Sequence, residues 1–122
     1  MANTRFELVT PTATMYSGEA EMVVCKSVDG EIAFLADHMP YIGALDPCLV
    51  RVVGPESGGE EVRVAVRSGF VEVKDNQVIM LADVALRPEE VDVAAAERDA
   101  STAGSEAEVK WAQARLETAR PG

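Results

Sequence analysis

VRVAVRSGFVEVKDNQVIMLA, residues 62–82, alternates apolar and polar side chains with a period of two on either side of one break. Val62, Val64 and Val66 stand against Arg63, Ala65 and Arg67; past Ser68-Gly69 the phase slips, and Val71 and Val73 oppose Glu72 and Lys74. A period of two is that of a half-buried strand. A one-residue slip at glycine predicts a bulge or tight bend between two strands. Asp75-Asn76 then predicts a two-residue hairpin turn, because Asp and Asn tolerate the left-handed backbone such turns need. Val78 to Ala82 is apolar at every position, which predicts a central strand covered from both sides.

The same grammar extends towards the N-terminus. Phe6 and Leu8 alternate with Arg5 and Glu7, and Pro11-Thr12 ends that strand. Met15-Tyr16 leads through Ser17-Gly18 to Ala20, Met22 and Val24, which line one predicted face against Glu19 and Glu21. Asp29-Gly30 reads as a turn, Ile32 to Leu35 as a short strand, Tyr41 to Leu45 as a segment between Pro40 and Pro47, and Leu49 to Val53 as the next strand. The run from Gly54 to Gly59 is a solvated hairpin tip. Roughly nine or ten short strands with turns at close spacing predict a sandwich or flattened barrel.

At Arg87-Pro88 the pattern changes. Pro88 suits the first position of a helix, Glu89, Glu90 and Asp92 favour its positive end, and Val91 through Ala100 are helix formers. Thr102-Ala103-Gly104 ends that helix, and Ser105-Glu106-Ala107-Glu108 fits a capping box opening a second. On that helix Val109, Ala112, Leu116 and Ala119 share a face, and Pro121 closes it. The expected fold is mainly β with α: a β-sandwich of about ten strands over residues 1–87, then an antiparallel helical hairpin over 88–122. Two short Ala-rich helices bury little area, so the hairpin is expected to dock weakly.

Composition narrows the function. With 48% apolar and 26% charged residues the chain is ordinary globular material, and the scarcity of aromatics (one Trp, two Tyr, three Phe) implies an aliphatic core. The net charge of −10, with no basic stripe in either part, argues against binding nucleic acid or anionic lipid directly. The start, MANTRFELVT, lacks a leader pattern, and no apolar run approaches the ~20 residues needed to cross a bilayer. Cys25 and Cys48 match no metal spacing; a disulfide or two buried thiols both fit, with thiols favoured in a reducing compartment. His38 is the single histidine and has no ligand or base partner at useful spacing. Trp111 reads as a packing residue of the hairpin. No catalytic, metal or cofactor constellation emerges, which points away from an enzyme.

One segment is unusual: Gly30-Glu31-Ile32-Ala33-Phe34-Leu35-Ala36-Asp37-His38-Met39-Pro40. Glycine permits a sharp turn, Glu31 stands exposed at its tip, and Ile32 and Phe34 anchor it, as in a rigid acidic knuckle touching a partner. This pattern resembles that of the epsilon subunits of F-type rotary ATP synthases. So do Ser68-Gly69-Phe70-Val71-Glu72-Val73 with Asn76, Val78 and Leu81-Ala82-Asp83, the opening Phe6-Glu7-Leu8-Val9-Thr10-Pro11, and Tyr16-Ser17-Gly18. The resemblance covers nearly the whole sandwich and runs more loosely into the hairpin.

The resemblance implies a ten-stranded sandwich and a helix-turn-helix in a central rotor, gripping the gamma subunit and resting on polar loops of the c-ring. It implies a non-catalytic role in coupling proton-driven ring rotation to gamma, peripheral to the cytoplasmic face of the cell membrane and held there through the complex. It places Gly30, Glu31, Ile32, His38, Met39 and Pro40 at the c-ring and gamma interface. It implies a regulatory hairpin that can extend along gamma and restrain ATP hydrolysis by engaging the beta subunit, here with Arg98, Lys110, Arg115 and Arg120 as its basic residues. Some relatives bind ATP through an Ile/Leu-Asp-x-x-Arg-Ala motif, which would make Asp92 and Arg98 the contacts. The matching segment is Val91-Asp92-Val93-Ala94-Ala95-Ala96, and Ala95 in place of the arginine removes the bidentate phosphate partner. The competing reading is a free-standing sandwich that binds a small ligand or acts as an adaptor. A deep apolar pocket in the sandwich would favour the ligand, a flat apolar outer patch a protein interface.

Overall fold

The computed structural model describes residues 3–54 and 61–120. Its strands are β1 (Thr4–Val9), β2 (Thr14–Ala20), β3 (Met22–Ser27), β4 (Gly30–Phe34), β5 (Tyr41–Leu45), β6 (Cys48–Val53), β7 (Glu61–Val66), β8 (Gly69–Lys74), β9 (Gln77–Ala82) and β10 (Ala85–Leu86). They pair in the order β10-β7-β6-β3-β5-β8-β9-β1-β2, with β4 also on β3. All these pairs are antiparallel except β1 with β9. The join between β3 and β5 is a single register pair, Ser27 with Leu45. There the sheet folds over, so that β10-β7-β6-β3-β4 and β5-β8-β9-β1-β2 form two layers around one core.

The alternation seen in the sequence builds that core. Phe6 and Leu8 of β1, Phe34 of β4, Val50 and Val52 of β6, Val64 and Val66 of β7, Val71 and Val73 of β8, and Val78 and Met80 of β9 are each at most 2% exposed. Every such aliphatic or aromatic side chain contributes roughly 1.5–3 kcal/mol when buried. The phase slip at Ser68-Gly69 separates β7 from β8, and Asp75 and Asn76 take φ of 52° and 56° in the turn between β8 and β9.

Several local expectations change. The turn after β3 is Val28-Asp29, held by the Ser27 hydroxyl, which accepts from the Asp29 N–H at 3.1 Å; Gly30, at φ +119°, is already the first residue of β4. Ala20, Met22 and Val24 do not share a core face, because the chain breaks pairing at Glu21, whose N–H goes to the Val53 carbonyl at 2.6 Å. Beyond that break Val23 and Cys25 join the core. Strand β9 is covered on one side only: Val78, Met80 and Ala82 face inward, while Leu81 is 55% exposed. Most of the run from Gly54 to Gly59, and Pro121, lie outside the described residues.

A further change concerns the first helix. Pro88–Glu90 forms a 3-10 turn, Val91 is extended, and α1 (Val93–Thr102) starts only after Asp92, whose carboxylate accepts from the Ala95 N–H at 3.0 Å. Pro88 thus opens a helical turn of its own, the 3-10 one, while the Asp92 cap, of a kind worth about 1 kcal/mol, starts α1. Helix α2 (Glu106–Ala119) follows the capping box, Ser105 accepting from the Glu108 N–H at 3.2 Å; Glu108 reaches back to the Gly104 N–H rather than to Ser105. Helix α2 packs against α1 and across β6 and β7. Having two neighbours, it buries Ala114 and Thr118 besides Ala112, so its buried surface is wider than the one stripe expected.

Candidate partner interface

The outer face of the β5-β8-β9-β1 layer carries apolar side chains where a solvated sheet has polar ones. Register aligns Ala44 with Phe70, Phe70 with Leu81, and Leu81 with Val9, so four strands contribute to one continuous cross-strand row. Ile42 and Ile79 flank it, each paired with Glu72 between them. Ile42 is 72% exposed and Phe70 61%. Such a contiguous, flat apolar patch rimmed by charge is the usual mark of a protein contact. Each of Ile42, Phe70 and Leu81 occupies the outward phase of its own strand, and in the sequence only Phe70, in phase with Glu72 and Lys74, signals this.

The Gly30 to Pro40 segment runs along the rim of the molecule rather than forming one site. Gly30 and Glu31 stand at the β3–β4 turn, with Glu31 exposed opposite Lys26. Ile32 packs on the core, and Phe34 is fully buried at the other end of β4. The loop 35–40 follows, exposing Leu35, Met39 and Pro40. His38 meets Phe34 edge-on, ring centroids 5.0 Å apart, and its Nδ1 lies 2.7 Å from the Met39 carbonyl. Asp37 is left-handed at φ 60°, and its N–H donates to the Asn76 side chain at 2.8 Å. Glu31 and His38 therefore lie at opposite ends of β4 and cannot act together on one small ligand.

The basic residues of the hairpin do not converge either. Lys110 pairs with Asp46 at 2.9 Å, and that carboxylate raises the lysine pKa. Arg115 pairs with Asp99 at 2.9 Å and lies over the half-buried Trp111 ring at 5.1 Å, so it ties α1 to α2. Arg98 and Arg120 are exposed, and the Arg120 N–H caps the end of α2. Asp92 is engaged as the cap of α1.

Cys25 and Cys48 are free and buried, and burial pushes their thiols up to about 12 and about 11, which leaves both unreactive at neutral pH. Among the described residues no group of His, Cys, Asp and Glu could hold a metal, and no helix is long and apolar enough to cross a membrane. A crevice between α2 and the sheet is lined by the polar residues Lys26, Asp46, Lys110, Gln113 and Glu117 together with Pro47, Cys48, Leu49 and Ala114.

Comparison with known proteins agrees with this architecture. The family described as "ATP synthase, Delta/Epsilon chain, beta-sandwich domain" matches residues 3–88. The ATP synthase epsilon chain of Desulforamulus reducens is 37% identical over 127 residues, covering 98% of this chain and 94% of the relative. That of Thermobifida fusca is 40% identical over 124 residues, with 93% and 90% covered. In solved structures, a chain of the Euglena gracilis mitochondrial ATP synthase superposes with a TM-score of 0.68 at 21% identity, over 96% of this chain and 77% of that one, a likeness of fold. From its sandwich, its hairpin and these full-length relatives, the chain belongs to the epsilon-chain family of ATP synthases, non-catalytic subunits of that complex.

Proposed function

We propose that this chain is the coupling piece of a central rotor, with the outer face of β5-β8-β9-β1 against the gamma subunit and the Glu31 end of β4 against the polar loops of the c-ring. The apolar row Ala44, Phe70, Leu81 and Val9 carries the reading. A monomeric chain has no reason to leave such a row wet, whereas a partner that covers it recovers roughly 25 cal/mol for each Å² buried. Membrane association would then be indirect, at the cytoplasmic face of the cell membrane, with protons driving the ring. The ligand-binding alternative is less well supported, because side chains fill the space between the layers and the outer face is flat.

Residues 1–87 and 88–122 divide the work in this reading. The core cluster of the described residues is drawn wholly from the sandwich. The hairpin docks through small side chains, the Lys110–Asp46 pair and a hydrogen bond from the Arg63 guanidinium to the Glu117 carbonyl. That ion pair is exposed and screened by solvent, and the buried side chains of α2 are small, so the hairpin is held loosely. Released, it would lie along gamma, reach the beta subunit and restrain ATP hydrolysis. Size-exclusion chromatography with purified gamma tests both parts: the full chain and a chain ending at Arg87 should each co-elute with gamma. A full chain that stays monomeric overturns the rotor reading. If only the truncated chain fails, the division of labour is wrong.

A further inference from the structure

Asn76 does more than its turn requires. At φ 56° it needs a residue that tolerates left-handed backbone, and glycine or aspartate would satisfy that alone. Its side chain instead joins segments far apart in the chain. Oδ1 accepts from the Asp37 N–H at 2.8 Å, and Nδ2 donates to the Asn3 carbonyl at 2.9 Å. Its own carbonyl accepts from the Thr4 hydroxyl at 2.8 Å and the Arg5 N–H at 3.1 Å.

The contact to Asp37 matters most. Asp37 holds φ 60°, a conformation that an aspartate tolerates but does not by itself select, so the contacts made by the loop 35–40 decide whether it is kept. The edge-on packing of His38 on Phe34 holds one side. Asn76 fixes the other side to the β8–β9 turn; Phe70 and Leu81 pair towards the far end of those strands, with Ile42, Glu72 and Ile79 between them and the turn. The loop exposes Leu35 and Met39, the latter 77% exposed, immediately before Ile42 of β5.

We infer that Asn76 is a positioning residue for the partner contact: through Asp37 it locks the 35–40 loop in register with the apolar row, so that loop and row meet the partner as one preformed surface. This rests on the rotor reading above. A loop freed from Asn76 must be ordered during binding, and that ordering weakens affinity without removing any contact side chain.

The test uses the full chain with gamma, reading the Asp37 amide exchange rate by NMR, the Kd for gamma, and the Tm. Asn76→Gly keeps the turn and removes both side-chain bonds; Asn76→Asp keeps the turn and an acceptor for Asp37. Asn76→Gly is expected to speed Asp37 exchange at least about tenfold and to weaken binding about tenfold, with Asn76→Asp recovering most of both losses. Unchanged gamma affinity in Asn76→Gly, or unchanged Asp37 exchange, overturns the inference. So does a loss of affinity that follows Tm in both variants, since that is the mark of a merely structural residue. A wild-type chain that fails to bind gamma overturns the rotor reading itself and this inference with it.

Discussion

The double variant Phe70→Lys, Leu81→Glu is expected to lose gamma affinity by at least about 100-fold while staying folded. Both side chains are more than half exposed in the free chain, so little core packing is at stake. They are direct cross-strand partners, and a Lys–Glu pair in that position is mildly favourable on a sheet surface. In the complex the two side chains would sit near the centre of a row that becomes dry. Losing two such anchors forfeits roughly 1.5–3 kcal/mol each, and two charges buried against an apolar partner add a desolvation cost. Isothermal calorimetry with gamma reads the affinity, and thermal melting reads the fold. Wild-type affinity in a folded variant would remove this row from the interface.

Gly69→Ala is expected to have the largest effect on stability, at least ~3 kcal/mol, or on the order of 10 °C in Tm. Gly69 sits at φ +156° at the start of β8, paired with Ala82. An added Cβ would collide with the Leu81 carbonyl oxygen and come within 2.9 Å of the Ala82 Cα, both backbone atoms that no rotamer change can move. The crossing is fixed on each side: Ser68 and Asp83 exchange hydrogen bonds of 2.9 Å, and Arg67 pairs with Asp83 at 3.0 Å. Relief of the clash would require opening the β8–β9 ladder, which also shapes the outer row. Urea denaturation measures the loss. A change below 1 kcal/mol would mean that β8 and β9 do not approach as closely as described.

The phase slip at Gly69 shows how far sequence reasoning reaches here. Strand content, the β8–β9 turn and the Ser105 cap are short-range, and a period, a turn dipeptide and a capping box specify them locally. The interface is not short-range. Ala44, Phe70, Leu81 and Val9 become neighbours only through the register of four strands, one pair of them parallel. In sequence Leu81 reads as part of a doubly covered strand, because an apolar residue awaiting a partner is indistinguishable from one already buried. The Gly30 to Pro40 segment is recognisable as a unit, yet it runs from the start of β4 through a loop to the start of β5, with Glu31 and His38 at opposite ends of β4. From the sequence the first helix starts at Pro88, five residues before Val93, because Pro88 and Asp92 compete as starts and the Asp92–Ala95 hydrogen bond decides between them.

The central claim is that one face of this sandwich, and not the other, lies on gamma. Hydroxyl-radical footprinting of the full chain, with and without gamma, tests it most directly. Protection is expected at Met39, Ile42, Phe70 and Leu81, with Leu49 on the opposite layer gaining none. Protection confined to the hairpin side, or oxidation of Phe70 and Leu81 that gamma leaves unaltered, would contradict it.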